Sequence, residues 1–165
     1  FHVELAGTGA FTRLCGVALG AGQSHVDHHL LVDHAAPGCT SRQDVRAVLD
    51  DRARAVFTGK VVVREGAQQT DSEQANHSLL LSDDAVANTR PQLEIYADDV
   101  ACAHGATVGS LDADALFYLQ QRGLSPAQAR GLLMEGFARA VLTELPQGPA
   151  HDLPHALVGQ WLSGR

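Results

Sequence analysis

The side chains with the clearest chemical potential lie close together in the run from Leu93 to Gly123, LEIYADDVACAHGATVGSLDADALFYLQQRG. Cys102 and His104 are two positions apart, so on a β-strand their side chains point to the same face. Sulfur and imidazole nitrogen are both ligands for soft and borderline metal ions. The pair is therefore a candidate for half of a metal site or half of an interface.

A second group of candidate ligands lies upstream, in the run SHVDHHLLVDH from Ser24 to His34. On a strand, His25, Asp27 and His29 share one face, which would suit a metal ion. The alternative is a strand with a solvated polar face, whose histidines hydrogen-bond to neighbouring strands or to water. We favour the solvated strand, because the run has no HExxH motif to fix a zinc geometry.

Length, charge and cysteine content exclude several classes of protein. A chain of 165 residues suits one domain, and its net charge of −7 argues against a nucleic-acid or anionic-membrane binder. No run is long enough for a transmembrane helix, and the start lacks a signal-peptide pattern. Cys15, Cys39 and Cys102 are odd in number and form no CxxC pair, which predicts a reducing, cytoplasmic setting without a disulfide framework.

Short strands are predicted about every 8 to 15 residues from Leu30 to Val108. No Asn-Gly-type hairpin turn joins them, which favours a parallel β-helix over a β-sandwich. The polar run from Gln68 to Asn76 is predicted to be a solvated loop. The predicted strands after Leu30 cover most of Ser41–Val63, then Ser78–Ser82, Ala85–Asn88 and Leu93–Ala97 on either side of Arg90-Pro91, and Val100–Val108.

After Gly109 the pattern becomes helical, so we divide the chain into a β core, residues 1–109, and a helical part, residues 110–165. Asp112 is a good N-cap for a helix that Gly123 ends. The run from Ser125 to Gln128 is a capping box with proline at the first helical position. It starts a helix predicted to reach about Leu145, and a short last helix is predicted over Pro154–Leu162.

Several ordered runs, spanning about Val26 to Leu145, share the pattern of one known family. The runs are Gln92–Val100, Cys102–Gly109, Leu116–Leu119, Arg122–Gly123, Val56–Lys60, Ala67–Asp71 and Leu79–Ser82, together with His34, Pro37, Ser41, Gln74 and Asn76. They closely resemble the SufB/SufD family of iron–sulfur cluster assembly proteins. Within it the sequence is closest to SufD, because Gly105 stands where SufB has a glutamate.

The resemblance implies a right-handed parallel β-helix followed by a small helical subdomain. It also implies that the sequence corresponds to the C-terminal part of a longer SufD-like chain. Such a chain is a non-enzymatic scaffold with no catalytic residue of its own. Its implied partners are a SufB-like subunit, which pairs with it through the β-helix, and a SufC-like ABC ATPase, which docks on the helices.

The same resemblance assigns residues to these roles. Cys102 and His104 match the family's cysteine and histidine at the SufB–SufD junction, where they would ligate a transient iron–sulfur cluster together with the partner chain. The alternative for each is structural, as a packed thiol and a hydrogen-bonded interface histidine. Flavin binding by the complex stays open. Residues that match the ATPase-docking helices are Leu116, Phe117, Tyr118, Arg122, Leu132, Leu133 and Phe137.

Two other functions compete with the scaffold. A β-helical carbohydrate-active enzyme could use Glu94, Asp98 and Asp99 as acid/base groups or calcium ligands. Asp98 and Asp99 are neighbours, however, and on a strand they would point to opposite faces. A metalloprotein built on His25, Asp27 and His29 is the other alternative. Without a partner, the open end of a β-helix is an edge that favours a homodimer.

Overall fold

The computed structural model describes residues 1–143, 145–146 and 148–164, so Glu144, Gln147 and Arg165 lie outside the described residues. Eight strands precede three helices along the chain. The strands are β1 His2–Leu5, β2 Phe11–Gly20, β3 His25–His34, β4 Thr40–Leu49, β5 Arg54–Val63, β6 Thr70–Leu80, β7 Val86–Ile95 and β8 Val100–Gly109. The helices are α1 Ala113–Gln121, α2 Pro126–Ala140 and α3 Pro149–Ser163.

Successive strands alternate between two parallel sheets, which makes a β-solenoid of about four turns. Sheet A has the order β1-β3-β5-β7 and sheet B the order β2-β4-β6-β8. Register is regular, since Phe11 pairs with Thr40, and Asp71 pairs with Thr40 on one side and Ala101 on the other. The predicted parallel β-helix is therefore confirmed, and the sandwich is wrong.

One corner of the solenoid repeats in three successive coils although its sequence does not. Gly9, Gly38 and Gln69 occupy equivalent positions with φ of 71°, 67° and 58°. Each donates its backbone N–H to the next coil, to Pro37 O at 3.0 Å, Gln68 O at 2.8 Å and Asp99 O at 2.6 Å respectively. The left-handed backbone conformation, rather than a fixed residue type, is thus what the repeat preserves.

Hydrophobic side chains fill both the solenoid interior and the space between sheet B and the helices. Val32, Val61 and Val63 are fully buried inside the coils. On the outer face of sheet B, Val48 and Leu79 pack against a group from α2, α3 and the segment between them: Met134, Ala138, Val141, Leu142 and Val158. Because these outward residues are covered by the helices, the alternation of buried and less buried residues along β4 and β6 is lost near their C-terminal ends.

The starts of α1 and α2 agree with prediction, whereas the end of α2 and the start of α3 do not. The Asp112 side chain accepts from the Ala115 N–H at 2.9 Å, and Ser125 and Gln128 form the predicted capping box. Helix α2 ends at Ala140, so the predicted end near Leu145 is wrong. The last helix is longer than predicted and includes Pro154 within it. The division into two domains at residue 109 stays a prediction.

The predicted loop from Gln68 to Asn76 is wrong, because this run enters β6. Ser72, Gln74 and Asn76 are buried inside the solenoid. Their polar groups bond to the neighbouring coil, so burial does not leave them all unpaired. A strand whose inward face is polar has the same composition as a solvated loop, which is why the sequence was misleading here.

The two short strands predicted around Arg90-Pro91 are one continuous strand, β7. On the side of β5, Val86 donates its N–H to Ala53 O at 3.0 Å and Tyr96 donates to Val63 O at 2.9 Å. Alternation along the strand therefore turns the residue-91 nitrogen to the free edge, where proline breaks no hydrogen bond within the sheet. Among the described helices, none is long and apolar enough to cross a membrane.

Candidate functional site

Strand β8 forms the last rung of sheet B and holds both predicted site residues. Cys102 pairs with Ser72 and His104 pairs with Gln74 of β6. Partner residues in a parallel sheet point the same way, and Ser72 and Gln74 are buried in the solenoid interior. Cys102 and His104 therefore share the inward face, as their spacing predicted.

The end of the solenoid leaves these two residues differently covered. Cys102 is half-buried and packs with Leu93 and Val100 against the cluster formed by Val61, Val63, Ala67 and Ala97. His104 lies two residues further along the strand and is exposed. The thiol thus contacts the core, while the imidazole is accessible at the open end.

A buried polar column leads through the coils to Cys102. His34 is fully buried, and its Nε2 lies 2.9 Å from the Ser41 hydroxyl oxygen. Ser41 and Ser72 are joined by a hydroxyl–hydroxyl hydrogen bond of 2.8 Å. Cys102 occupies the next rung below Ser72. We call this set, His34, Ser41, Ser72 and Cys102, the serine column.

A second buried polar column leads to His104. The Gln74 side chain donates from Nε2 to Oε1 of Gln43 at 3.1 Å, across one rung of sheet B. Gly59 of sheet A makes room for it, because a Cβ there would lie 2.6 Å from Gln74 Nε2. His104 occupies the next rung. We call this set, Gln43, Gln74 and His104, the glutamine column.

Burial sets the protonation of two groups in the serine column. Desolvation raises the pKa of the Cys102 thiol, the Asp71 charge raises it further, and a backbone hydrogen bond from Ser72 opposes both. Cys102 is therefore a neutral thiol near pH 7 and must lose a proton to ligate a metal. Desolvation lowers the pKa of His34, partly offset by Asp33, so His34 is neutral inside the core.

The free edges of the last coil differ between the two sheets. Sheet A ends on β7, where Pro91 removes one outward donor. Sheet B ends on β8, which contains no proline and pairs only with β6 among the described strands. Three exposed hydrophobic residues lie on this last coil, Ile95, Tyr96 and Val108. The β8 edge is thus the better template for an added strand.

The predicted docking residues divide into an exposed and a half-buried group. Phe117 is 63% exposed, Tyr118 is 56% exposed and Leu132 is also exposed. Arg122 donates to the Tyr118 hydroxyl at 2.6 Å and lies over its ring. The half-buried group is Leu116, Leu133 and Phe137.

Phe137 also has contacts within the chain. Its ring lies under the Arg46 guanidinium, 5.4 Å from ring centroid to Cζ, and its carbonyl accepts from Arg46 Nη1 at 3.1 Å. In contrast, none of the nine described residues of α1 is buried. The exposed aromatic pair on α1 is therefore the part of the predicted docking set that lacks extensive packing within the described chain.

The competing sites have a different geometry. Asp27 and His29 point outward from sheet A and pair with each other at 3.0 Å. Within the described ranges, no group of three or more His, Cys, Asp or Glu side chains could hold a metal ion. Glu94 pairs with Lys60 at 2.8 Å. Asp98 and Asp99 lie in the bend between β7 and β8, so the assumption that they lie on a strand is wrong.

Sequence reasoning missed the buried polar residues above the site, His34, Ser41, Gln43, Ser72 and Gln74. Their signal is present, because polar residues two apart recur at Ser41/Gln43, Ser72/Gln74 and Cys102/His104. Each pair follows the last by about one solenoid coil. A search for a repeated spacing, rather than repeated residue types, would have found both columns.

Comparison with known proteins gives the family. The model for the SUF system FeS cluster assembly SufBD core domain matches residues 1–137. The chain belongs to the SufBD family. It is SufD-like, as predicted.

Three relatives illustrate the extent of this SufBD likeness. The chain is 35% identical over 161 residues to the iron-sulfur cluster assembly protein SufD of Escherichia coli, covering 98% of this chain and 38% of that protein. It is 41% identical over 135 residues to an iron-sulfur cluster assembly SufBD family protein of Synechocystis, covering 82% and 30%. It is 31% identical over 143 residues to SufD of Bacillus subtilis, covering 87% and 33%. The chain thus spans about a third of the length of these relatives.

Proposed function

We propose that this SufBD chain is a non-enzymatic scaffold in an iron–sulfur cluster assembly complex. Its open solenoid end joins a SufB-like subunit, and its helices dock a SufC-like ABC ATPase. The observation that carries the proposal is the Cys102–His104 pair, side by side on the inward face of the last, uncovered rung. Family membership supports the same role.

The donor set fits a shared cluster, which is the cargo of the complex. A thiolate and an imidazole are ligands that iron–sulfur clusters accept, but two ligands do not hold a cluster on their own. The other described residues provide no third ligand nearby, since no group of three metal-ligating side chains occurs among them. The partner subunit would supply the rest, and ligation would release the Cys102 proton because its pKa is raised.

Strand addition to β8 is the way in which the partner would join. Strand β8 has a proline-free edge, whereas β7 lacks a donor at Pro91. A partner strand would continue sheet B, satisfy the outward N–H and C=O groups of β8, and cover Val108. It would also place the partner's ligands next to His104. In the absence of the partner, a second copy of this chain could occupy the same edge.

The exposed aromatic pair on α1 supports ATPase docking on the helices. Phe117 and Tyr118 expose more than half of their surface, and aromatic residues are enriched among the hot spots of protein interfaces. Arg122 stacked on Tyr118 adds a charged donor to the same patch. No GxxxxGK[ST] motif occurs in the sequence, so the nucleotide site belongs on the partner in this proposal.

No disulfide joins Cys15, Cys39 and Cys102 in the described part of the chain, and reduced cysteines support the proposal of a cytoplasmic setting. Cys39 is fully buried, and its thiol hydrogen-bonds to the Gly7 carbonyl at 3.2 Å. Cys15 is half-buried on the outer face of sheet B. Cys102 is thus the cysteine whose position at the solenoid end suits chemistry shared with a partner.

Co-expression with the SufB-like and SufC-like subunits tests this function. Cys102→Ala and His104→Ala should leave the complex intact on affinity purification and lower its reconstituted iron and sulfide content several-fold. Ala103→Ser is the matched control on the opposite face of the strand, and it should keep the wild-type content. Loss of the whole complex would make the two residues structural, and an unchanged iron and sulfide content would contradict the cluster role.

A further variant in the same co-expression separates the two interfaces. Phe117→Ser should release the SufC-like ATPase and retain the SufB-like subunit, because the aromatic pair lies on α1 and not on the last coil. Retention of both partners at wild-type levels would contradict docking on α1. For the chain alone, a monomeric mass in sedimentation at micromolar concentration would argue against a homodimer through β8.

A further inference from the structure

The glutamine column ends on an oxygen that has no partner. Gln74 is only 2% exposed, and its Oε1 makes no hydrogen bond to any described residue. Buried polar atoms in folded proteins are nearly always paired, and an unpaired acceptor raises the free energy of the fold. A buried oxygen left open next to a candidate ligand therefore indicates that something pairs with it.

The direction of the Gln74 amide identifies what that partner is. Its nitrogen is bonded to Gln43 of β4, on one side of β6. The two polar atoms of a planar amide diverge, so Oε1 does not point the same way as Nε2, and β8 is the strand on the other side of β6. The residue in register there is His104. With its oxygen on the β8 side, the Gln74 amide can accept a hydrogen bond from His104 but cannot donate one to it.

Packing fixes the amide in this place. The Gln74 side chain reaches across the solenoid to Gly59, where an added Cβ would lie 2.6 Å from Nε2 and 2.7 Å from Cδ. The Phe57 ring lies against the same point, 2.6 Å from that Cβ position. The amide is therefore held by the backbone on one side and by Gln43 on another, and it cannot follow a mobile partner.

We propose that Gln74 is a positioning residue for His104, which rests on the proposed function for the use of the ring as a ligand. The Gln74 Oε1 accepts a hydrogen bond from one ring N–H of His104 and so fixes the tautomer. The other ring nitrogen keeps its lone pair and is directed beyond β8, away from β6. Ligating histidines generally donate their second N–H to an acceptor, and this arrangement provides that acceptor from the solenoid interior.

In the structure the imidazole is exposed, so the bond forms when the His104 side chain turns toward the interior. In the proposal this turn pairs the open oxygen, because His104 and Gln74 are in register on neighbouring strands. A partner chain over the open end would favour the inward position further, because it would shield the ring from water. The alternative occupant of Gln74 Oε1 is an ordered water molecule, which would leave the histidine tautomer unfixed.

Nitrogen NMR of the purified protein, labelled at histidine, tests the pair without any cluster or partner. At about pH 8 a histidine is mainly neutral, and its two tautomers have different ring-nitrogen shifts. His104 is assigned by the signal missing from His104→Asn. We expect roughly a tenfold excess of one tautomer in the wild type. In Gln74→Met that excess should fall several-fold, whereas Ala103→Ser, on the opposite face of β8, should keep it.

A double variant that should still fold separates loss of the Gln74 acceptor from loss of the fold. Gln43→Met/Gln74→Met removes both amides together, so it leaves no new unpaired atom in the core. A folded double variant with mixed tautomers supports the proposal. A mixed tautomer in the wild type, or the same single tautomer in Gln74→Met and in the double variant, overturns it and indicates water at Gln74.

The complex separates this inference from the proposed function. If the SufB-like subunit fails to bind the wild type, the proposed function fails, while the tautomer result still decides the Gln74–His104 bond. If the wild-type complex forms, Gln74→Met should retain the partner and lower the bound iron several-fold. Unchanged bound iron would contradict the positioning role even if the hydrogen bond is present.

Discussion

The same two polar columns have different surroundings in the closed coils and at the open end of the solenoid. In the closed coils, His34, Ser41 and Ser72 are buried and bonded to one another. One rung further, Cys102 is half-buried and His104 is exposed. The strands on both sides of this boundary share one register and nearly one length.

The difference shows that coverage by a further coil, and not residue chemistry alone, distinguishes a structural polar group from a candidate ligand. Inside the coils Ser41, Ser72 and Gln74 each bond to a side chain of a neighbouring strand, which offsets part of the cost of burial. At β8 no described strand supplies the next rung, so its side chains stay available for a partner. Substitutions on one side of this boundary at a time therefore test the comparison.

The largest effect is expected for glycine substitutions on the two sides. Gly59→Ala would place a Cβ 2.6 Å from Gln74 and Phe57, and such overpacking should lower the free energy of unfolding by about 3 kcal/mol. Gly105→Ala in β8 meets no atom within 4 Å and should change it by less than about 0.5 kcal/mol. Urea unfolding of both variants measures the difference. Equal effects would mean that the interior is not packed as described.

Next in size is the loss of a bridging hydroxyl. Ser41→Ala removes the group that bonds both His34 and Ser72, and it should lower the free energy of unfolding by about 2 kcal/mol. Cys102→Ala, at the end of the same column, should lower the free energy of unfolding by about 1 kcal/mol or less. The thiol is half-buried, and its removal breaks no bridge between two other side chains. A larger loss for Cys102→Ala than for Ser41→Ala would reverse the comparison.

Acid should weaken the closed coils through His34. Its pKa in the folded chain is lowered by burial, so the unfolded chain binds a proton more readily. The stability that neutral His34 contributes is present above its ordinary pKa of about 6.5 and is lost as the pH falls through the lower folded value. The slope is at most about 1.4 kcal/mol per pH unit for one such group.

Unfolding free energies of the wild type and His34→Gln between about pH 7 and pH 5 check this contribution. The variant should start less stable and lose less as the pH falls, because its side chain does not titrate. His28, whose pKa is also lowered by burial, should leave part of the acid sensitivity in place. Identical slopes for the two proteins would contradict the assignment to His34.

Parallel pairing and the starts of α1 and α2 could be predicted because each depends on local pattern. The capping box at Ser125 and the N-cap at Asp112 are short-range features that the sequence states directly. The shared face of Cys102 and His104 follows from the period of a strand. The absence of hairpin turns, which is also a local sequence signal, favoured a solenoid.

Other features depend on contacts between residues that are far apart in the sequence. Ser72, Gln74 and Asn76 are polar enough to predict a loop, and only the adjacent coil makes their burial favourable. Pro91 was predicted to interrupt a strand, but the orientation of its nitrogen toward a free edge makes it compatible with β7. Helix α2 ends at Ala140, and the next two residues, Val141 and Leu142, pack into the cluster on sheet B, a contact that the helical sequence pattern does not show.

Amide hydrogen exchange tests most directly the claim that the open end is the partner interface. Exchange is measured on the purified protein with and without the SufB-like subunit. The account predicts slower exchange for amides of β8, Val100–Gly109, while peptides from β7 around Pro91 change less. A bound partner that leaves exchange in β8 unchanged would contradict it.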